Sequence, residues 1–298
     1  MNEAPETSTE TGTETGTETG TEIPPELVTQ MTGWRRDFHR HPEPGFAEER
    51  TSAHIASLLE SFGIEVHRNI GKTGIVGILQ RGNGPGSIAF RADMDALPIT
   101  ETGTPEWVSV HDGAMHACGH DGHTAMLLGA ACHLAAKGDF NGRIVFIFQP
   151  NEEHGQGARA MIDDGLFQRF PADAVFAMHN IPGMKAGSFA TRAGPMTASE
   201  SLFELSVTAR GGHAALPHMG VDAILVGAQL VTALQSIVSR KLDPARNGVV
   251  SITEFITDGS RNVLPSSARL KGDARALSDD ANHAIEAHMR RIAAGIAA

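Results

Sequence analysis

Three short apolar runs in this chain each end on a cluster of polar side chains, and that pairing constrains the fold more than any other feature. Ser87–Phe90 leads into Arg91-Ala92-Asp93-Met94-Asp95-Ala96-Leu97-Pro98, Arg143–Phe148 into Gln149-Pro150-Asn151-Glu152-Glu153, and Ala174–Met178 into His179-Asn180. The run RIVFIF at 143–148 reads as a buried strand, since a strand covered on both faces is continuously apolar instead of alternating. Asp121–Ala136 and Ala158–Leu166 read as helices between the runs. Strands alternating with helices predict an α/β domain with a mostly parallel sheet. In open sheets of this kind ligand sites lie beyond the carboxyl ends of the strands, where the three clusters can converge.

Upstream, Leu27, Met31, Trp34 and Phe38 recur at helical spacing, and residues 50–62 predict a second helix with Ile55, Leu58, Leu59 and Phe62 on one face. Gly63 is its stop signal, and Gly74–Leu79 is a further short apolar run. After Gly194-Pro195 the rhythm changes. Leu202–Ala209, Val249–Ile256 and Ala268–Ala276 read as strands, Val221–Val238 and Asp280–Ile296 as helices. That β-α-β-β-α order is the ferredoxin-like split unit without its last strand. The predicted organisation is a tail at 1–24, an α/β domain at 25–193 and an α+β domain at 194–298. A sheet lacking a strand exposes an unpaired edge, so the expectation is a chain that stops short of closing both domains.

A length of 298 residues suits one to three domains, and 41% hydrophobic residues suffice for a real core. Of the net charge of −11, six units come from glutamates in the first 22 residues (Glu3, Glu6, Glu10, Glu14, Glu18, Glu22), which hold no Lys or Arg. The rest sets 24 basic against 29 acidic side chains. No basic stripe marks a nucleic-acid partner. The repeat TGTETGTETGTE at 11–22 has no apolar residue and predicts a disordered acidic tail. It has no secretory pattern, and no uninterrupted apolar run approaches the roughly 18 residues of a membrane span. The expectation is a cytoplasmic protein without a membrane partner. Cys118 and Cys132 are too few for a disulfide framework.

The 15 histidines raise the question of a metal. In Met115-His116-Ala117-Cys118-Gly119-His120-Asp121-Gly122-His123, the pair Cys118 and His120 can face one point, and thiolate with imidazole suits zinc and similar ions. Taken singly, Cys118 reads as a small core residue and His120 as a hydrogen-bonded one. Together with His116, His123, Glu152, Glu153 and His179 they favour a metal site. A Cys–His nucleophilic pair is the other functional reading, and it leaves the Glu pair unexplained. Adjacent side chains outside a helix diverge, so of Glu152 and Glu153 one can bind metal while the other serves as general base. Asp95 reads either as the group that orients a ligand imidazole or as a turn aspartate. Gly211-Gly212-His213-Ala214-Ala215, Asn262-Val263-Leu264-Pro265 and Arg275 are ambiguous locally. His39, His41, His54, His67, His133, His283 and His288 read as surface or satisfied polar positions.

HACGHDGHTAMLLGAA (116–131), RADMDALP (91–98), FQPNEE (148–153), MHN (178–180) and GGHAALPH (211–218) resemble, in order, the aminoacylase/hippurate hydrolase branch of the metal-dependent amidohydrolases. That branch lies within the dinuclear carboxypeptidase–aminoacylase superfamily, and the resemblance runs from about Leu27 to the chain end. It implies a metallopeptidase-like catalytic domain with an inserted ferredoxin-like lid and dimerisation domain. It also implies one or two divalent ions (Zn, Mn, Co or Ni) per subunit, N-acyl amino acids as substrates and a homodimer. Cys118, His120, Glu153 and His179 match metal ligands, Glu152 the general base and Asp95 the aspartate behind a ligand. His213 matches the residue that polarises the substrate carbonyl, and Asn262 and Arg275 match positions that hold the substrate carboxylate. The family's remaining ligand histidine follows the lid and has no counterpart here. A second reading is therefore a catalytically impaired homologue that acts as a binding or dimerisation module.

Overall fold

Pro25 opens α1 (Pro25–Arg40), where its missing N–H loses no helical bond. The computed structural model describes residues 23–298, so the TGTE repeat and its predicted disorder lie outside the described residues. α2 (Glu49–Ser61) follows, then β1 (Glu65–Ile70), β2 (Gly74–Arg81), β3 (Ser87–Asp93), α3 (His120–Lys137) and β4 (Gly142–Gln149). α4 (Gly157–Asp163), α5 (Leu166–Arg169) and β5 (Ala174–Ala177) complete a first compact unit, which ends at Met184.

The five strands form one sheet in the order β1-β2-β4-β3-β5. Its central strand shows why RIVFIF is apolar throughout. Ile144, Phe146 and Phe148 face a core with Phe38, Ile55, Leu59 and Leu128, while Val145 and Ile147 face a second core with Ile70, Met161, Leu166 and Phe170. Each such side chain contributes about 1.5–3 kcal/mol through its burial. The crossovers β3-α3-β4 and β4-α4-α5-β5 move in opposite directions along the sheet. With a common right-handed sense this places α3 on one face and α4–α5 on the other.

The α/β class holds, with one sharpening. Parallel pairing is confined to β4-β3-β5, whereas β1-β2 and β2-β4 are antiparallel. The turn at 71–73 joins β1 to β2 directly, and a connection that short can only make a hairpin. β1 has no counterpart in the sequence reading, because only Ile70 of its six residues is buried and no apolar pattern marks it. The helix expected over Ala158–Leu166 is two short helices, broken where Gly165 takes a left-handed conformation (φ 83°).

The second compact unit starts at Lys185. It comprises β6 (Ser199–Thr208), β7 (Gly212–His213), α6 (Ala223–Arg240), β8 (Gly248–Thr257), β9 (Val263–Leu264), β10 (Ser267–Ala276) and α7 (Asp279–Ala297). The boundary at Met184/Lys185 precedes the Gly194-Pro195 signal. Strand order β6-β10-β8, all antiparallel, places β10 in the middle, as the predicted β-α-β-β-α order requires. Ala268, Leu270, Ala274 and Ala276 of β10 are buried, while Arg269, Lys271, Asp273 and Arg275 alternate onto the opposite face. Helices α6 and α7 cover the buried face through Leu234, Ile237, Ile285 and Met289. Asp222 and Ser278 cap them by accepting N–H groups of their first turns. α6 is long and apolar enough to cross a membrane by composition alone. Here its Ala223, Gly227, Leu230, Leu234 and Ile237 form the buried stripe of an ordinary core helix.

Candidate metal centre

Three parallel strands stop along one edge of the first unit's sheet, so Asp93 at the end of β3 pairs in register with Gln149 at the end of β4, and the turn after β5 lies beside them. Helix α3 starts at the same edge with Gly119 as its cap and His120 as its first residue. Asp95 ties these segments together. Its carbonyl and one carboxylate oxygen accept the His120 Nδ1–H (2.9 and 3.3 Å), and the other carboxylate oxygen accepts the backbone N–H of Glu153 (3.0 Å). Burial works against the Asp95 charge, yet these bonds hold its carboxyl below the usual carboxylate range.

In the neutral ring the Nδ1–H donated to a carbonyl leaves a lone pair on His120 Nε2. Burial opposes a proton there, while Asp95, Asp93 and Glu153 draw a positive charge to the ring and raise its pKa. His120 Nε2 lies 3.8 Å from Glu152 Oε2 and 3.8 Å from Glu153 Oε1. His120 Nε2 and Glu153 Oε1 are both buried and have no hydrogen-bond partner among the described residues. A desolvated lone pair facing a desolvated carboxylate is unfavourable unless a cation lies between them. The donor set therefore fits a divalent cation. Cys118 Sγ lies 3.4 Å from His179 Nε2, and His179 Nδ1 donates to the carbonyl of Asn180 (2.7 Å). Two groups, Cys118–His120–His179 and His120–Glu152–Glu153, have atoms close enough to share one ion, and His120 belongs to both. Glu152 is 40% exposed against 15% for Glu153, so one carboxylate faces open space and the other the buried ring.

The Cys–His pair of the nucleophile reading exists geometrically, but its electrostatics run the wrong way. Burial, together with the charges of Glu153 and Glu152, pushes the Cys118 thiol up to about 12. An activated cysteine needs the opposite shift, whereas a bound cation would supply it.

A third group, Asp93–His120–His123, is also compact enough for an ion. Two of its three members are already engaged, however: His123 Nδ1 is 2.6 Å from Asp93 Oδ1, and Arg91 Nη1 donates to Asp93 Oδ2 (2.8 Å), which lies 3.7 Å from His120 Nε2. His123, expected among the metal candidates, is held by Asp93 instead, while Asp93 and Asn180 have no role of their own in the sequence pattern. The signal available was the three-residue spacing from His120 to His123, which places both on one side of a helix start. No local pattern marks Glu48 either. Fully buried, it accepts the N–H of Asn151 (2.8 Å) and the hydroxyl of Thr73 (2.6 Å), and so fixes the turn that carries Glu152. Asn151 sits in the left-handed region (φ 45°), which that bond supports.

His116, expected among the metal candidates, belongs to none of these groups. It is buried with neither ring nitrogen partnered among the described residues, and burial lowers its pKa to about 4. His39 has a larger structural part than the sequence suggests. Its ring bridges Asp121 (Nδ1, 2.9 Å) and Glu101 (Nε2, 3.2 Å), linking α1 to the start of α3.

In the second unit, β7 and β9 bring His213 and Asn262 together: His213 pairs with Val263, and Ala214 N–H donates to the Asn262 carbonyl (3.0 Å). His213 is exposed and its Nδ1 accepts the N–H of Ala215 (3.1 Å). Arg275 lies on the open face of β10, where Asp273 (2.6 Å) and Glu200 hold its guanidinium.

The sequence model of peptidase family M20/M25/M40 matches residues 89–295. A hippurate hydrolase of Campylobacter jejuni is 44% identical over 91% of this chain and 71% of its own length. An N-acyl-L-amino acid amidohydrolase of Geobacillus stearothermophilus is 42% identical over 91% of this chain and 73% of its own. Among solved structures, a Bacillus subtilis protein described as a dinuclear metal-binding peptidase of the M20 family superposes with a TM-score of 0.76 at 37% identity. It covers 91% of this chain and 70% of that one.

Proposed function

The chain belongs to peptidase family M20/M25/M40, and on that premise we propose that it hydrolyses the amide bond of N-acyl amino acids, with Glu152 as the general base. The observation that carries this reading is the pair of buried, unpartnered atoms His120 Nε2 and Glu153 Oε1, 3.8 Å apart beside Cys118 and His179. Cys118, His120, Glu153 and His179 are the proposed holders of one or two divalent ions, with zinc, manganese, cobalt and nickel all compatible with this donor set. When bound, such an ion lowers the pKa of water and polarises a carbonyl.

The chain's own residues supply the rest. Asp95 keeps the His120 ring in one tautomer and orientation. The half-buried Glu152 carboxylate takes a proton from water as the water oxygen bonds to the amide carbon. It then delivers that proton to the amide nitrogen as the C–N bond breaks, releasing a carboxylic acid and a free amino acid. His213 is the proposed polariser of the substrate carbonyl, and Asn262 and Arg275 the proposed partners of its carboxylate. For Arg275 this requires exchanging Glu200 for the substrate. The proposal extends to a catalytic domain at 25–193, a lid and dimerisation domain at 194–298, and a cytoplasmic homodimer.

Glu152→Gln tests the assignment. Hydrolysis of N-benzoyl- and N-acetyl-amino acids should fall by about 10²–10⁴-fold, while metal content measured on the purified protein stays at the wild-type level. Retained turnover would remove Glu152 as the base.

A further inference from the structure

We propose that Asp93, His123 and Asn180, none of them a ligand in the centre described above, form a brace that positions Cys118 and His179, with His123 as its pivot. The inference rests on the metal-centre reading and adds to it the residues that hold its open side in place.

The chemistry of His123 is settled by its neighbours. Asn180 N–H donates to its Nε2 (3.1 Å), so that nitrogen carries a lone pair and the proton sits on Nδ1, facing Asp93 Oδ1 at 2.6 Å. The Asn180 side-chain amide is placed with Oδ1 against the same nitrogen, and an Nε2 lone pair requires that amide to present its NH2 there instead. Asp93 is fixed in turn. Arg91, itself held by Gln149 (2.9 Å), donates to its second oxygen, and Thr124 donates to its carbonyl (3.1 Å). Burial opposes the Asp93 charge, but His123 and Arg91 keep its carboxyl well below the usual range. The brace thus spans the ends of β3 and β4, the first turn of α3 and the turn after β5.

Each end of this network abuts a candidate ligand. Asn180 follows His179, and its carbonyl accepts the His179 Nδ1–H, which directs Nε2 toward Cys118. Gly119 follows Cys118. A Cβ at Gly119 would collide with the Asn180 side chain, and the residue's left-handed conformation (φ 88°) also favours glycine. The two ligand-bearing segments are therefore locked against the same asparagine, and that asparagine against His123. His179 needs such a device because it is exposed, with the His123 ring packed edge-on against it at 4.6 Å. Groups that orient a ligand imidazole typically carry 10–100-fold in metal affinity.

The experiment is a cobalt(II) titration of chelator-stripped protein, followed by the thiolate-to-cobalt charge-transfer band that reports Cys118 ligation. Wild type should develop the band and saturate. His123→Ala should need about 10–100-fold more cobalt and show an altered band at saturation. Because His123 is buried, Asn180→Ala provides a second reading at an exposed position. It should weaken cobalt binding by a smaller factor and leave the melting temperature of the metal-free protein unchanged. Wild-type affinity and spectrum in a folded His123→Ala would overturn the brace and leave the centre standing. If His123→Ala unfolds, wild-type affinity and spectrum in a folded His123→Asn, whose side chain is too short to bridge Asp93 and the Asn180 N–H, would overturn the brace. That variant is needed because Asn180→Ala keeps the backbone bonds to His123 and His179. A wild type that never develops the band would remove the centre itself, and the brace with it.

Discussion

His120 and His213 are both candidate functional histidines, and the structure treats them in opposite ways. His120 is fully buried, and its Nδ1 is fixed by Asp95, 25 positions earlier, which also holds the Glu153 backbone. His213 is exposed and its Nδ1 bond comes from Ala215, two positions away. The contrast matches two physical tasks. A group that meets a cation must hold its lone pair in place against the repulsion of neighbouring donors, which takes restraints from several elements. A group that meets a substrate can sit on a short turn and adjust. Arg275 adds a third case, a cation already neutralised by Asp273 and Glu200.

The largest effect should follow from removing the shared restraint at the buried end. Asp95→Ala strands the Glu153 N–H and takes the carboxylate from the buried His120 ring, leaving that ring only the backbone carbonyl of residue 95. Denaturant unfolding of the metal-free protein should show a loss of about 3–5 kcal/mol, together with loss of metal binding. A loss below about 1 kcal/mol would mean that the buried end is not held as described.

Next in size is His39→Ala, expected to cost about 2–3 kcal/mol by leaving Asp121 and Glu101 without their bridging ring. The hydrogen bond to Asp121 raises the His39 pKa, burial opposes it, and Glu101 adds to the rise. A folded pKa above the unfolded 6.5 means that the protonated ring's contribution is complete below pH 6.5 and is lost as pH rises through the folded value. The mutational cost should therefore be larger at pH 6 than at pH 9. A cost independent of pH would show that the ring acts by packing alone.

The smallest effect on folding belongs to His213→Ala, where the melting temperature should match wild type while turnover of N-acyl amino acids falls. Loss of stability without loss of turnover would reverse the contrast between the two histidines.

Much of this is legible in the sequence, because the signals are local. RIVFIF announces a strand covered on both faces, and the polar residues directly after 87–90, 143–148 and 174–178 announce one edge of a parallel sheet. Cys118 and His120 were readable from their spacing, as was the divergence of Glu152 from Glu153. The antiparallel half of the sheet was not, since β1 carries almost no apolar pattern. Nor does spacing separate His116 from its neighbours: a sequence shows that a histidine is near two candidate ligands but not that its buried ring has no hydrogen-bond partner among the described residues.

What the sequence determined by itself was therefore the set of elements and the residue types at their ends, through periodicity and turn chemistry that act within about ten positions. Only the tertiary structure decided which of those ends meet. Sheet order sets β3 between β4 and β5, and that order alone brings residues 93, 123 and 180 into one hydrogen-bonded chain. The tautomer of each ring then follows from the backbone groups it faces, a fact that no local pattern encodes.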